Sequence, residues 1–290
     1  MKISLGVDLG GTNIRVGKVS SEGQILDLEI CRAPGEKEKN LETIIKMISK
    51  FATTDVEAIG IGFPGRIRHA DGVILSSGFL KIKNMNLSEI IKNEFSKPTI
   101  VDNDAIMALF AELKVGSALG YNDIALLTIG TGIGGAIASK GKLFYGGGIA
   151  GQLGHITYNA NGPICTCGRK GCVETYSSGT ALKTLFKKYN FPYATKIQSV
   201  IEIANNGNEM AENLLKEWVS PLRYTMDTLS ATISPELILL GGGLGEPAYS
   251  TLIKYTKAES LWFSYDVQLC KFSDMSGVIG AGLRAFCLTK

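Results

Sequence analysis

No apolar run in this sequence approaches the roughly 20 residues needed to cross a bilayer. Its start, M-K-I-S-L-G-V-D, meets Asp8 before a signal-peptide core has formed, so a cytoplasmic protein without a membrane partner is expected. An excess of one charge is also missing. The 30 Lys+Arg stand against 27 Asp+Glu for a formal net charge of +3, and no dense basic block is present. That balance argues against a nucleic-acid partner and for a small molecule. Signs of disorder are absent too, since 45% of residues are hydrophobic and 20% charged. Histidine is scarce, with 2 in the chain, so a histidine inside a motif carries weight. At 290 residues the chain is longer than one hydrophobic core usually serves, and two domains around a cleft are expected.

Glycine is what the chain has in surplus: 35 residues, about 12% against a usual value near 7%. These glycines follow no collagen-like period and gather at 10–11, 130–135, 146–148 and 241–243. The pattern implies sharp turns close to a ligand. Residues 3–7, 14–19 and 25–30 read as a three-stranded antiparallel meander. Helices are expected near 41–52, 87–95, after Asp104, at 174–189, 198–206, 209–232, 248–259 and from 277, with strands at 58–62, 99–101, 237–240 and 266–271. The stretch between 62 and 85 reads as irregular. A second meander, 124–129, 136–139 and 143–145, repeats the first. The domains are drawn as 1–115 plus a returning helix at 276–290, and 116–275.

A phosphate cradle needs backbone N–H groups with no Cβ in the way. Asp8-Leu9-Gly10-Gly11-Thr12 sets such a turn behind a carboxylate suited to Mg²⁺, and Thr128 to Gly135 offers a second. Either turn alone reads as a plain hairpin. Two in equivalent places favour a triphosphate. Gly130-x-Gly132-x-x-Gly135 also matches the dinucleotide fingerprint, but strand and hairpin follow where a helix is required. Position 155 is His rather than the acid expected there, so a nicotinamide enzyme is disfavoured.

His155, Cys165, Cys167 and Cys172 lie in G-H-I-T-Y-N-A-N-G-P-I-C-T-C-G-R-K-G-C. Free thiols or a disulfide are the plain alternatives. Three clustered cysteines in a reducing compartment favour a Cys₃His zinc site. Four protein ligands leave no open position, which makes the zinc structural, and metal on one ring nitrogen of His155 would fix the tautomer and aim the other as a donor.

The motifs D-L-G-G-T-N-I-R-V-G, G-F-P-G-R, V-D-N-D-A, T-I-G-T-G-I-G-G, the G-x-x-G-H loop ending G-C-V-E, and S-P-E-L-I-L-L-G-G-G follow one another through almost the whole chain. In this the sequence resembles the ROK family of sugar kinases and repressors. The C-x-C-G-x-x-G-C string with its upstream G-H carries most of the likeness. The resemblance implies an α/β fold of the actin-like ATPase, ribonuclease H-like type, with ATP and sugar in the cleft and phosphoryl transfer to the 6-hydroxyl of a hexose. It implies Asp104 as base, with Asn103, Gln152, His155 and Glu174 on the sugar and Gly65 and Arg66 lining its far side. Gly10, Gly11, Thr12, Thr131 and Gly132 would meet phosphates, Gly242 and Gly243 adenosine, and Asp8 the magnesium. A homodimer is the expected assembly.

On the residues alone, Asp104 and Glu174 also read as acids at helix starts, and Arg66 as a solvated charge. The cap and base roles of Asp104 are compatible, because a helix N-terminus favours the ionised carboxylate. Gln152 stands where many family kinases carry a glutamate, which brings N-acetylmannosamine and other N-acylhexosamines in beside glucose as substrates. A sugar-responsive repressor of the family would need a helix-turn-helix ahead of the first strand, where only seven residues precede Asp8. A filament subunit would leave the cysteine cluster without purpose.

Overall fold

In the computed structural model, which describes residues 1–34, 36–77, 82–192, 195–257, 262 and 265–289, the first half of the chain runs β1 (Ile3–Leu9), β2 (Asn13–Ser20), β3 (Ile25–Arg32), α1 (Lys37–Phe51), β4 (Val56–Phe63), β5 (Arg66–Arg68), β6 (Val73–Ser77), β7 (Ile82–Met85), α2 (Leu87–Phe95), β8 (Thr99–Asn103) and α3 (Asp104–Val115). The second half runs β9 (Ile124–Ile129), β10 (Ile133–Ser139), β11 (Lys142–Leu143), α4 (Glu174–Ser177), α5 (Gly179–Lys188), α6 (Ile197–Asn205), α7 (Glu209–Ile233), β12 (Leu237–Gly241), α8 (Gly245–Tyr255), β13 (Asp266–Leu269) and α9 (Ser276–Ala285). Two units result, Met1–Asn122 with Ala136–Gly151 and Asp274–Lys290, and Asp123–Gly135 with Gln152–Ser273. Among the described residues no helix is long and apolar enough to cross a membrane.

The first unit is built on a sheet of order β3-β2-β1-β4-β8, in which β1, β2 and β3 form the antiparallel meander and β4 and β8 run parallel to β1. Strands β1 and β4 are buried almost throughout, as parallel strands covered on both faces should be. One cover is α9, and glycine is what lets it approach. A Cβ on Gly6 would stand 1.9 Å from the Val278 carbonyl oxygen, and one on Gly60 1.8 Å from that of Ala281. On the helix itself, a Cβ on Gly280 would stand 1.7 Å from the Met107 oxygen of α3. Helix and strand backbones therefore touch directly, a known reason for glycine inside a strand. This packing delivers the first turn of α9 to the end of β1.

The stretch read as irregular between 62 and 85 holds a small sheet of order β5-β6-β7. Strands of three to five residues carry too few alternations for a period to register.

A second sheet has the order β11-β10-β9-β12-β13, in which β12 runs parallel to both β9 and β13. The second meander closes through Lys140 and Gly141, at φ 52° and 71°, the paired left-handed conformation of a tight hairpin. The expected helix 174–189 is two helices. Ser178 is extended, and its hydroxyl accepts from the Ala181 amide to cap α5. Helix α7 runs 25 residues and docks through fully buried Trp218, whose indole N–H donates to the Ser177 carbonyl at 2.9 Å. Helix α8 ends at Tyr255, and the expected continuation to 258–259 lies outside the described residues.

Candidate active site and metal centre

In the first unit the C-terminal ends of β1, β4 and β8 carry the expected catalytic residues. Asp8, next to last in β1, is buried. Arg15 on β2 donates to it at 3.3 Å and to Asp274 at 2.7 Å. A Cβ on Gly277 would fall 2.7 Å from the Asp8 carboxyl, so the first turn of α9 lies directly against it. Burial drives the Asp8 carboxyl up to about 7, against the lowering pull of Arg15 and with a push from the nearby Asp104. A buried carboxylate of this kind suits a divalent cation, which would bring it back to the ionised form. The turn beyond it closes when the Gly10 amide donates to the Asn13 carbonyl at 2.8 Å. Gly11 and exposed Thr12 form the rest of that turn.

Asn103 and Asp104 divide the start of α3 between them. Asn103 is the N-cap: its side-chain oxygen accepts from the amides of Ala105 and Ile106 at 3.0 and 3.3 Å, and its amide group donates to the Gly65 carbonyl at 3.1 Å. Asp104 is thereby relieved of the cap role considered for it and stands as the first residue of the helix, with one oxygen on the Ala105 amide at 3.0 Å. Its surface is partly open, yet enough protein surrounds the carboxyl to raise it to about 6, hydrogen bonds notwithstanding. Gly65 holds φ 134°, and a Cβ there would meet the Ser76 oxygen at 2.5 Å, so this position admits only glycine. Arg66 beside it is exposed on β5.

In the second unit the turn between β9 and β10 is held from below. Glu174, at the start of α4, accepts from the Ile133 amide at 2.9 Å, and a Cβ on Gly132 would meet the same oxygen at 2.4 Å. The Thr131 carbonyl accepts from the Thr180 hydroxyl at 2.8 Å, and the Gly130 carbonyl from the Gly179 amide. One oxygen of Glu174 is thus committed to the glycine turn, while the other lies 3.5 Å from the Thr166 hydroxyl and 3.7 Å from the Cys165 sulfur. Gly242 holds φ 79° between β12 and α8, packed on the Ile129 backbone, and a Cβ on exposed Gly243 would meet nothing within 4 Å. Such an open backbone edge suits a flat ligand. Gln152 is half-buried and leads into the short helical turn Leu153–His155.

His155, Cys165, Cys167 and Cys172 come together as expected, with ligand atoms all within 4.8 Å of one another. The Cys167 and Cys172 sulfurs are 3.6 Å apart, and His155 Nδ1 is 3.5 Å from the Cys165 sulfur. Thiolates bound at about 2.3 Å around a tetrahedral zinc stand about 3.8 Å from one another, so the donor set fits that metal. With Nδ1 turned to the sulfurs, Nε2 of His155 is the nitrogen left to face a ligand.

Several residues around these sites gave no sign in the sequence. Arg15 and Asp274 flank Asp8, and Asp102 precedes the Asn103-Asp104 pair with Tyr145 and His69 on its carboxylate. An arginine three positions past the G-G-T turn was the one local hint, because alternate residues of a strand share a face and Arg15 pairs with Asp8 across β1 and β2.

Residues 4–285 match the ROK family, and the chain belongs to that family. Its fold is the actin-like ATPase fold of ROK sugar kinases. The chain is 30% identical over 304 residues to the glucokinase of Thermotoga maritima, covering 96% of this chain and 95% of that one. It is 28% identical over 292 residues to an N-acetylmannosamine kinase of Escherichia coli, covering 97% and 98%. Among solved structures, the ROK family glucokinase of Streptomyces griseus in complex with glucose and AMPPNP superposes with a TM-score of 0.87 at 26% identity, covering 98% of this chain and 99% of that one.

Proposed function

We propose that this chain is a glucokinase-type sugar kinase that transfers the γ-phosphoryl of ATP to the 6-hydroxyl of a hexose. The observation that carries the reading is Asp104: a carboxylate at the N-terminus of α3, raised to about 6 and flanked by an asparagine locked to Gly65. A sugar alcohol is a poor nucleophile, and a carboxylate of this basicity accepts its proton as the phosphoryl group departs. Asn103 keeps a free N–H for a sugar hydroxyl, Gly65 and Arg66 line the far side, and Gln152, His155 and the outer oxygen of Glu174 supply further contacts. The backbone turns Gly10-Gly11-Thr12 and Thr131-Gly132 receive phosphate oxygens, and Gly242-Gly243 lies against adenosine. Magnesium, when bound with ATP, neutralises charge on the phosphates, and Asp8 would hold it directly or through water. Zinc on His155, Cys165, Cys167 and Cys172 would fix the shape of the loop that carries His155.

The domain division follows from the same reading, with the last helix returning to the N-terminal half, as its packing on β1 and β4 supports. A homodimer in the cytoplasm completes it. The test is ADP release over a panel of monosaccharides with magnesium and ATP. Stimulation by glucose or another hexose is expected, and no stimulation by any sugar removes the kinase reading.

An N-acylhexosamine kinase is the second reading, favoured by Gln152. An amide offers one acceptor and one donor where a glutamate offers acceptors alone, and its donor matches an N-acyl carbonyl.

A further inference from the structure

The carboxylate of Asp102 is the least exposed of the three consecutive polar side chains at 102–104, and nothing in the proposed chemistry uses it. One of its oxygens accepts from the Asn103 amide at 2.8 Å. The other receives the Tyr145 hydroxyl at 2.7 Å and lies 3.3 Å from His69 Nδ1. The His69 and Tyr145 rings stack at 3.5 Å, their planes 17° apart. Arg284 of α9 donates to the same Tyr145 hydroxyl at 3.2 Å while its guanidinium lies over Phe110 of α3. The phenol oxygen thus accepts from Arg284 and its proton is directed at Asp102. Burial and the neighbouring carboxylate push the Tyr145 phenol well above its usual range, which keeps it a neutral donor at any working pH.

Three segments distant in sequence meet at this carboxylate: the turn after β5, the end of β8, and the chain beyond β11. Tyr145 opens Gly146-Gly147-Gly148, in which Gly146 and Gly148 have positive φ, and the chain continues through Gly151 to Gln152. The Gly148 and Ala150 amides donate to the Tyr145 carbonyl at 2.7 and 3.1 Å, so the glycine run folds back on Tyr145, and the Tyr145 hydroxyl ties that turn to Asp102. At the other end, the Asp102 bond to the Asn103 amide fixes the extended conformation (φ −63°, ψ 143°) from which the cap and then Asp104 emerge.

We propose that Asp102 is a positioning residue for Asn103 and Asp104, and that Tyr145, by donating to it, couples the order of the glycine-rich segment leading to Gln152 to the setting of the base. The catalytic consequence rests on the sugar-kinase reading, whereas the coupling does not. Sugar engaged by Gln152 would steady the segment that holds Tyr145, and through Asp102 the base would be set when the acceptor is present. His69 lies across the Tyr145 ring and limits where the phenol can turn.

The experiment uses Tyr145→Phe, which removes one hydroxyl and keeps the ring stack, together with His69→Gln as a second variant. Hydrogen–deuterium exchange is read on the peptide spanning 100–107, and ADP release with saturating hexose is read in parallel. Exchange at the start of α3 is expected to rise about 10-fold in Tyr145→Phe while β4 is unchanged, because losing a buried hydrogen bond opens the segment by about 1.4 kcal/mol, a factor of ten. kcat is expected to fall about 10-fold with KM for ATP kept. In a Tyr145→Phe/Asp102→Asn double variant the losses should not multiply, as for residues that act as one unit. Unchanged exchange in Tyr145→Phe overturns the coupling whether or not the chain phosphorylates sugars. Raised exchange with normal kcat in a sugar-responsive enzyme overturns the positioning role. A wild type that releases no ADP with any sugar defeats the kinase reading alone and leaves the coupling to be decided by exchange.

Discussion

At the scale of the residue, the two aspartates on which the proposed reaction rests differ in what surrounds them. Asp8 sits against Arg15 and the first turn of α9, and Asp104 has only amides to balance its burial. The base works in its ionised form, so a group raised to about 6 loses activity as pH falls through that value. kcat/KM for the sugar, measured with magnesium saturating, should therefore show an acid limb near pH 6. Asp104→Asn should reduce kcat by about 10²-fold or more with sugar binding largely kept, since general-base contributions are of that order. Near-normal turnover in a folded variant leaves Asp104 a helix-terminal acid only. Gln152 belongs to the same scale. Mispaired polar groups in a buried site lose about 1–3 kcal/mol, so Gln152→Glu should shift the kcat/KM ratio of N-acetylated over unmodified hexoses by roughly 10-fold. An unchanged ratio across the panel removes Gln152 as a specificity residue and leaves plain glucose phosphorylation in front.

At the scale of the element, α9 and the cysteine loop hold these residues in place by different means. Helix α9 does so by contact, backbone on backbone. A Cβ on Gly280 has nowhere to go except into the Met107 carbonyl of α3, whose first residue is Asp104. Gly280→Ala should therefore lower stability by about 1–3 kcal/mol, as overpacking does, and also lower kcat by displacing α3. A denaturant melt matching wild type would show that the two helices can part without loss. The cysteine loop packs thinly on one side, Cys167 being exposed and Ile164 74% exposed, and a metal on its four donors would hold it there. About one zinc per chain is expected by elemental analysis, and Cys167→Ser should lose metal, stability and sugar affinity together. A metal-free variant that still binds sugar normally would separate the loop from the sugar site.

At the scale of the whole molecule, a kinase that binds ATP and sugar in its folded form must be stabilised by both. Ligand at 100 times its Kd adds about 2.7 kcal/mol to the folded state. Magnesium-AMPPNP with the accepted hexose should raise the melting temperature above either ligand alone, and hexoses that do not stimulate ADP release should leave it where it was. A melt indifferent to every combination counts against both sites.

Much of this was legible along the chain because the signals are local. The meander, the two glycine turns and the helix positions follow from short-range periodicity and turn chemistry. The candidate metal ligands were readable because all four lie within residues 155–172, a spacing that lets a short loop bring them together. The short strands between 66 and 85 and the break at Ser178 escaped notice, as a few residues carry no period and one extended serine does not interrupt an apolar pattern. What only the tertiary structure decided are the pairings across long separations: Arg15 with Asp274, Glu174 beneath Gly132, and Tyr145 and His69 upon Asp102. Sheet register and the close approach of α9 set those contacts. Both depend on how apolar faces pack from distant parts of the chain, and no spacing within a single sequence records that.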